Sequence, residues 1–312
     1  MLHRRRDLLE AGEGERSIDR SVRDGARVHV RRGWYVDRAA FDELYAEDAH
    51  LLHVMAVAHD VRGRAVVSHE SAGVLHGLDL YRVRPTRVHL TTAPGARISS
   101  GSDVFRHCTP LDAHDVVEVN GIRCTSLART VFDVARTMTP EAAIVMADRA
   151  EQVWCDRTGA RPADWRSAMA TRIAGAGAAR GIRRTRWVAD FADGRAESTL
   201  ESVSRFRLHQ LGFRSVRLQV PIAGPRGAGS YRVDFGLDDA EAWGECDGVG
   251  KYLDTDLRAA RSAEQVALDE KRREDWIRGT TGRRLVRWEA HHVASPAALA
   301  ARLRAFGIQA PR

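Results

Sequence analysis

The sequence predicts an α+β protein built from two regions of different character. Helical and strand-like patterns alternate along all 312 residues without an internal repeat, and the last third has its own order of helix, hairpin, helix, strand and helix. Hydrophobic residues make up 44% of the chain and charged residues 29%, a balance typical of globular domains. No stretch approaches the ~18 consecutive apolar residues of a membrane span, so we expect no membrane partner.

Residues 1–37 have the order of a winged helix, although a full winged helix normally has three helices and two are seen here. HRRRDLLEAG and GERSIDRSVRDG have short helical patterns, each closed by a glycine. ARVHVRRGWYV then alternates as a β-ribbon, with Arg31 and Arg32 near its tip. In a winged helix these two arginines contact DNA phosphates. The alternative is a helical cap on the following domain.

The sequence predicts a mixed region of helices and strands over residues 38–155. Residues 41–60 have the spacing of an amphipathic helix, and Ser68 and Gly77 bracket a second helix. Next come two strand-like segments, VHLTT and VFRHCT, and then VVEVNGIR, a hairpin with an Asn-Gly turn. Two further helices follow, SLARTVFDVARTM and TPEAAIVMADRAEQVW. Residues 156–195 are helical with glycine and alanine breaks, and we predict that they form a connector.

Residues 196–312 contain a hairpin that gathers carboxylates. Strand period places Asp234 opposite the apolar face of YRVDFGL, and it places Glu245 and Asp247 on one face of AWGECDG. Carboxylates this close repel unless a cation lies between them, and oxygen ligands suit Mg²⁺ or Mn²⁺. Such an ion polarises a phosphate and activates water. The alternative is a solvated hairpin that ends in an Asp-Gly turn.

Two further residues bear on this metal site. The chain has 49 lysines and arginines, of which only Lys251 and Lys271 are lysines. Lys251 follows Asp247 by four residues, and its compact ammonium suits charge stabilisation on a phosphate. Glu201 closes a Ser-x-x-Glu capping box, so it either holds the start of its helix or reaches the metal.

The C-terminal motifs resemble one branch of a nuclease superfamily. Over about residues 196–306 the chain is similar to the very-short-patch-repair-type branch of the PD-(D/E)XK nucleases. The motifs that carry the resemblance are SerThrLeuGlu201Ser, ValAsp234Phe, Glu245-x-Asp247-Gly-x-x-Lys251, EKRRED and RRLVRW. The resemblance implies a restriction-endonuclease-like mixed sheet flanked by helices and Mg²⁺-dependent DNA cleavage. By position, Asp234 and Glu245 hold the metal and Glu201 is the helical acid. The usual E-x-K is E-x-D here, so Asp247 stands where lysine is expected and Lys251 supplies the charge.

The first half resembles a different family. Over about residues 1–150 the chain is similar to the AbiEi-type antitoxins. The segments that carry the resemblance are RRGWYV, VVSHESAGVLHGL, VHLTT and GIRCTSLARTVFDVAR. This resemblance implies DNA binding, transcriptional autoregulation and a cognate toxin as a protein partner. The net charge of +7 permits a nucleic-acid partner, and the four scattered cysteines fit a reducing cytoplasm.

We therefore expect a cytoplasmic DNA-binding protein with a Mg²⁺-dependent endonuclease-like C-terminal domain, in a toxin–antitoxin or phage-defence setting. Asp234, Glu245 and Asp247 are the expected metal ligands, and Glu201 and Lys251 are the expected assisting residues. Two alternatives remain. One is a catalytically inactive DNA-binding transcriptional regulator, and the other is an antitoxin that binds its toxin directly.

Overall fold

The predicted α+β class is confirmed by a computed structural model that describes residues 2–61, 65–95, 100–225, 229–247 and 263–311. Within these ranges the chain forms twelve α-helices and three sheets. It divides into two compact units, Met1–Ala192 and Asp193–Arg312. None of the helices in the described ranges is long and apolar enough to cross a membrane.

The first unit begins with a small three-stranded antiparallel sheet of order β1-β3-β2. Its elements are β1 Leu2–Arg4, α1 Arg5–Glu10, α2 Glu15–Arg23, β2 Arg27–Arg31 and β3 Trp34–Asp37. Gly12 adopts a φ of +90° in the turn between α1 and α2, where a side chain would be strained. Leu8, Ile18 and Tyr35 form the hydrophobic cluster that holds both helices against the sheet.

The rest of the first unit surrounds a five-stranded mixed sheet of order β6-β5-β4-β8-β7. Its strands are β4 Val66–Val67, β5 Val88–Thr92, β6 Val104–Cys108, β7 Val116–Val119 and β8 Ile122–Thr125. Its helices are α3 Arg38–Asp42, α4 Ala46–Asp60, α5 His69–His76, α6 Leu127–Thr137, α7 Pro140–Thr158, α8 Pro162–Gly175 and α9 Ile182–Phe191, with a 3₁₀ turn at Ala113–Asp115. The helix expected over 41–60 begins later, at Ala46, after the separate short helix α3.

The segment 156–195, expected to be a connector, contains helices α8 and α9, which pack into the core of the first unit; that unit ends at Ala192. Helix α9 contributes Val188 and Ala189 to the hydrophobic cluster that includes the strands, and α8 contributes Trp165, Met169 and Ile173. These three residues recur every four positions, which is the spacing of one buried helical face. The residues between them are arginine, serine, threonine and alanine, which hid this periodicity in the sequence.

The second unit contains a four-stranded mixed sheet of order β12-β11-β10-β9. Its elements are α10 Thr199–Gln210, β9 Val216–Ala223, β10 Ser230–Leu237, a 3₁₀ turn at Asp238–Ala240, β11 Ala242–Asp247, α11 Ala263–Thr281, β12 Arg284–Glu289 and α12 Pro296–Ala305. Strands β9, β10 and β11 are antiparallel, and β12 runs parallel to β11. The sequence did not predict β9, which pairs along the free edge of β10.

Candidate functional site

Asp234 lies beside strand β11 in the second unit. Phe235 on β10 pairs with Gly244 on β11, so the next antiparallel pair places Asp234 opposite Glu245. The Oδ2 atom of Asp234 accepts a hydrogen bond of 2.8 Å from the backbone N–H of Cys246. This bond fixes the Asp234 side chain beside β11.

Glu201 lies near Asp234 but is held by its own helix terminus. Its side chain is buried and accepts hydrogen bonds from the backbone N–H of Glu197 at 3.0 Å and from Ser198 Oγ at 3.1 Å. The Nε2 group of Gln219 on β9 donates a third bond of 2.6 Å. Burial raises the pKa of Glu201, and the charge of Asp234 adds to that rise. The capping-box role is therefore present, and both carboxylate oxygens of Glu201 already have partners.

Glu245 is buried and bound by two guanidinium groups. Nη2 of Arg273, on α11, lies 2.5 Å from Oε1, and Nε of Arg287, on β12, lies 2.9 Å from Oε2. Both arginines also pair with Glu270 on α11. The positive charge that the sequence assigned to a divalent ion is thus supplied at Glu245 by two arginines.

The three carboxylates predicted as metal ligands do not form a compact donor set. Asp247 is exposed at the end of β11. Among the described residues, three donor atoms within 4.8 Å of one another occur in two other groups, His69 with His89 and His107, and Asp112 with His114 and Asp115. The arrangement of Asp234, Glu245 and Asp247 therefore does not fit a shared cation. The predicted site residue Lys251 lies outside the described residues.

The two arginines predicted at the ribbon tip have different surroundings. Arg31 ends β2, and its guanidinium lies 3.3 Å from Asp60 Oδ2 and 3.0 Å from Asp103 Oδ2, with only 18% of the side chain exposed. Arg32 is exposed in the turn between β2 and β3, and it forms no ion pair with the part of the chain that the structure describes. Arg32 alone is therefore placed to bind an external anion while the internal ion pairs stay intact.

A row of three arginines on α2 was missed by the sequence-based site prediction. Arg16, Arg20 and Arg23 are exposed, and their spacing of four and three residues puts them on one helical face. Ile18 anchors the buried side of the same helix. Within the described ranges none of the three arginines forms an ion pair. The i, i+4, i+7 spacing was readable in GERSIDRSVRDG and is the signal that could have found them.

Comparison with known proteins finds relatives without an assigned activity. No protein-family model matches the chain. Two curated proteins of Mycobacterium tuberculosis are similar to it: the Uncharacterized protein MT2308 of strain CDC 1551 / Oshkosh and the Uncharacterized protein Rv2248 of strain ATCC 25618 / H37Rv. Each is 30% identical over 240 residues, which cover 74% of this chain and 78% of the relative. The similarity therefore extends over most of both proteins.

Proposed function

This chain belongs to the family of these two mycobacterial proteins, and we propose that it is a DNA-binding regulator whose nuclease-like C-terminal unit does not cleave. The observation that carries the proposal is the exposed arginine row of α2, Arg16, Arg20 and Arg23. The AbiEi-like and nuclease-like resemblances of the two halves agree with a nucleic-acid partner.

The N-terminal elements have the order that a winged helix uses to bind DNA. Helix α1, a four-residue turn, helix α2 and the ribbon β2–β3 follow one another. In helix-turn-helix proteins the second helix enters the major groove, where arginine binds guanine edges or phosphates. Arg16, Arg20 and Arg23 face outward from that second helix, and Arg32 extends from the ribbon. None of these four has to break an ion pair with a described residue before it binds.

The absence of cleavage is proposed from the electrostatics of Glu245. A divalent ion at this carboxylate would have to displace Arg273, Arg287 or both. Two half-buried guanidinium groups close to a metal position would also repel the ion. Because Arg273 and Arg287 already neutralise the Glu245 carboxylate, the second unit is better suited to binding DNA than to hydrolysing it.

The test is DNA affinity measured against salt concentration by fluorescence anisotropy, with the promoter fragment of the protein's own gene and a scrambled duplex. The variant Arg16→Ala/Arg20→Ala/Arg23→Ala should lose affinity on both duplexes. The slope of log K against log salt should fall by about 0.9 for each phosphate that the variant no longer neutralises. A preference for the promoter that disappears in this variant would show that α2 reads sequence.

A matched control removes the same charge from another surface of the first unit. Arg180, Arg183 and Arg186 are exposed around the start of α9, and Arg180→Ala/Arg183→Ala/Arg186→Ala also lowers the net charge by three. We expect this control to bind DNA nearly as tightly as the wild type. Equal losses in both triple variants would mean that affinity follows net charge alone, and the assignment to α2 would fail.

A Mg²⁺-dependent endonuclease is the second candidate function. It is favoured by the placement of Glu201, Asp234 and Glu245 on neighbouring elements, and by Oε1 of Gln219, which is buried without a hydrogen-bond partner within the described residues. Incubation of plasmid and oligonucleotide DNA with Mg²⁺ or Mn²⁺ decides between the candidates. Cleavage by the wild type that is lost in Asp234→Asn would overturn the non-cleaving proposal.

Direct binding of a toxin protein is the remaining role for an AbiEi-like first half. The anisotropy experiment separates it from DNA-based regulation. Failure of the wild type to bind its own promoter or any other duplex would leave toxin binding as the better proposal for the first unit.

A further inference from the structure

Three histidines meet in the first unit, apart from the arginine row and the carboxylates. His69 is the first residue of α5, His89 lies on β5 and His107 lies on β6. Strands β5 and β6 are parallel neighbours in which Thr91 pairs with His107, so His89, two residues before Thr91, points to the same face as His107. The backbone N–H of Ser68 donates a 2.9 Å hydrogen bond to the carbonyl of His89, which fixes the start of α5 beside the strand.

The ring nitrogens of these histidines are close enough to share one ion. Nε2 of His107 lies 3.1 Å from Nδ1 of His89, and one nitrogen from each of the three rings lies within 4.8 Å of the other two. Zinc–nitrogen bonds of about 2.0–2.1 Å in a tetrahedral site place ligand nitrogens roughly 3.3 Å apart. The His89–His107 separation is already near this value.

In two of the three rings, one nitrogen contacts a side-chain oxygen, as the second ring nitrogen of a metal-binding histidine does. Nε2 of His89 lies 3.3 Å from Oε1 of Glu70, and Nδ1 of His69 lies 3.0 Å from Ser68 Oγ. A hydrogen bond at one ring nitrogen fixes the tautomer and directs the other nitrogen toward the ion. Nδ1 of His89 and Nε2 of His69 are therefore the nitrogens left for binding.

A packing role explains this cluster less well than a binding role. Burial is the main factor that lowers the pKa of His69 to about 2 and the pKa values of His89 and His107 to about 4, so all three rings are neutral at pH 7. Neutral imidazole is the form that binds metals. Apolar side chains would fill the same space without the cost of burying polar nitrogens.

We propose that His69, His89 and His107 bind one divalent transition-metal ion of the zinc class, with Glu70 orienting His89. Three imidazoles leave a fourth position for water or another ligand. The rings of His69 and His107 are stacked, with centroids 3.7 Å apart and planes 15° apart. Binding therefore rotates one of them, because two parallel rings cannot both direct a lone pair at one ion.

The test is calorimetric titration of the metal-stripped full-length protein with Zn²⁺, accompanied by the visible spectrum of the Co²⁺ form. We expect one ion per chain and the intense absorption of tetrahedral Co²⁺. His107→Gln should weaken Zn²⁺ binding by at least about 100-fold, since it removes a ligand. Glu70→Gln should keep one site per chain and weaken it by about 10–100-fold, as loss of an orienting partner does.

The control is His114→Gln, which alters the other donor group, Asp112 with His114 and Asp115. This variant should bind Zn²⁺ as the wild type does. The proposal fails if the folded wild type binds no Zn²⁺ at micromolar concentration, if His107→Gln binds it unchanged, or if His114→Gln loses the site. Should His107→Gln not fold, by circular dichroism, the wild-type Co²⁺ spectrum decides, since weak octahedral bands would reject the three-histidine site.

Discussion

Nε of Arg287 lies 2.9 Å from Oε2 of Glu245, and the two residues are also register partners on the parallel strands β11 and β12. Arg273 reaches the other oxygen of the same carboxylate from α11. Glu245 therefore ties three elements of the second unit together. The residue expected to bind a catalytic metal has a structural partner on each side.

The first prediction concerns this pairing. Arg287→Ala should lower the free energy of unfolding by roughly 1–3 kcal/mol, because it leaves the buried Glu245 carboxylate with one guanidinium partner instead of two. Arg272→Ala is the control, since Arg272 is exposed and its 3.4 Å pair with Asp269 lies on the helix surface. Its effect should stay within about 0.5 kcal/mol. Urea denaturation measures both variants, and equal effects would contradict the structural role of Arg287.

A second prediction separates the two ribbon arginines. Arg32→Ala should weaken DNA binding and lower the salt slope by about one unit while leaving stability unchanged, because its side chain is exposed. Arg31→Ala should lower stability by roughly 1–2 kcal/mol, because it leaves Asp60 and Asp103 close together without their shared partner. Anisotropy and urea denaturation should give opposite rankings of the two variants. A larger loss of DNA affinity in Arg31→Ala, at full stability, would restore Arg31 as the DNA contact.

The features that the sequence predicted well are those encoded by neighbouring residues. The Asn-Gly pair of the predicted hairpin adopts positive φ at Asn120 and Gly121, at 50° and 77°. Gly77 ends α5 in the left-handed conformation, as a helix-stopping glycine does. The alternation in YRVDFGL placed Asp234 on the strand face opposite the apolar residues, and the Asp234 side chain accepts a hydrogen bond from Cys246 on β11.

The features that sequence analysis missed depend on pairs far apart in the chain. Arg273 and Arg287 follow Glu245 by 28 and 42 residues. In a chain so rich in arginine, nothing local marks these two as its partners. The histidine cluster likewise needs the pairing of β5 with β6, which no short motif specifies. The buried face of α8, within residues 156–195, was missed because it is visible only when a four-residue spacing is followed across arginine, serine, threonine and alanine.

A third prediction makes the same substitution at two glycines of the second unit. A Cβ atom at Gly244 would overlap Cη2 of Trp288, which is fully buried and donates from Nε1 to Ser204 Oγ at 2.8 Å. Gly244→Ala should therefore destabilise the protein by roughly 1–3 kcal/mol or more through overpacking. Gly279 lies in α11, where a Cβ would have no other atom within 4 Å, so Gly279→Ala should stabilise by about 0.5–1 kcal/mol. Thermal and urea denaturation should show opposite signs, and the same sign for both would contradict the packing at Trp288.

The last prediction concerns the pH dependence of stability and rests on His50. Its ring is buried in α4, with Nε2 at 2.8 Å from Ser71 Oγ. Burial lowers the pKa of His50 to about 3, and nearby histidines add to that effect. An unfolded chain binds this proton near pH 6.5, whereas the folded protein does not bind it until the pH is far lower. The folded state therefore has its full stability, as far as His50 is concerned, above about pH 6.5. As the pH falls below this value, proton binding to His50 in the unfolded chain lowers the free energy of unfolding.

This linkage gives a slope of up to about 1.4 kcal/mol per pH unit for each such histidine. His50→Gln keeps a hydrogen-bonding group near Ser71 and removes the titration. Between about pH 6 and pH 4.5, the free energy of unfolding of this variant should therefore fall less steeply with pH than that of the wild type. The difference in slope should be up to about 1.4 kcal/mol per pH unit. His291→Gln is the control, because the side chain of His291 is 68% exposed. Urea denaturation at a series of pH values measures all three proteins, and identical slopes in His50→Gln and the wild type would show that His50 does not remain neutral in the folded state.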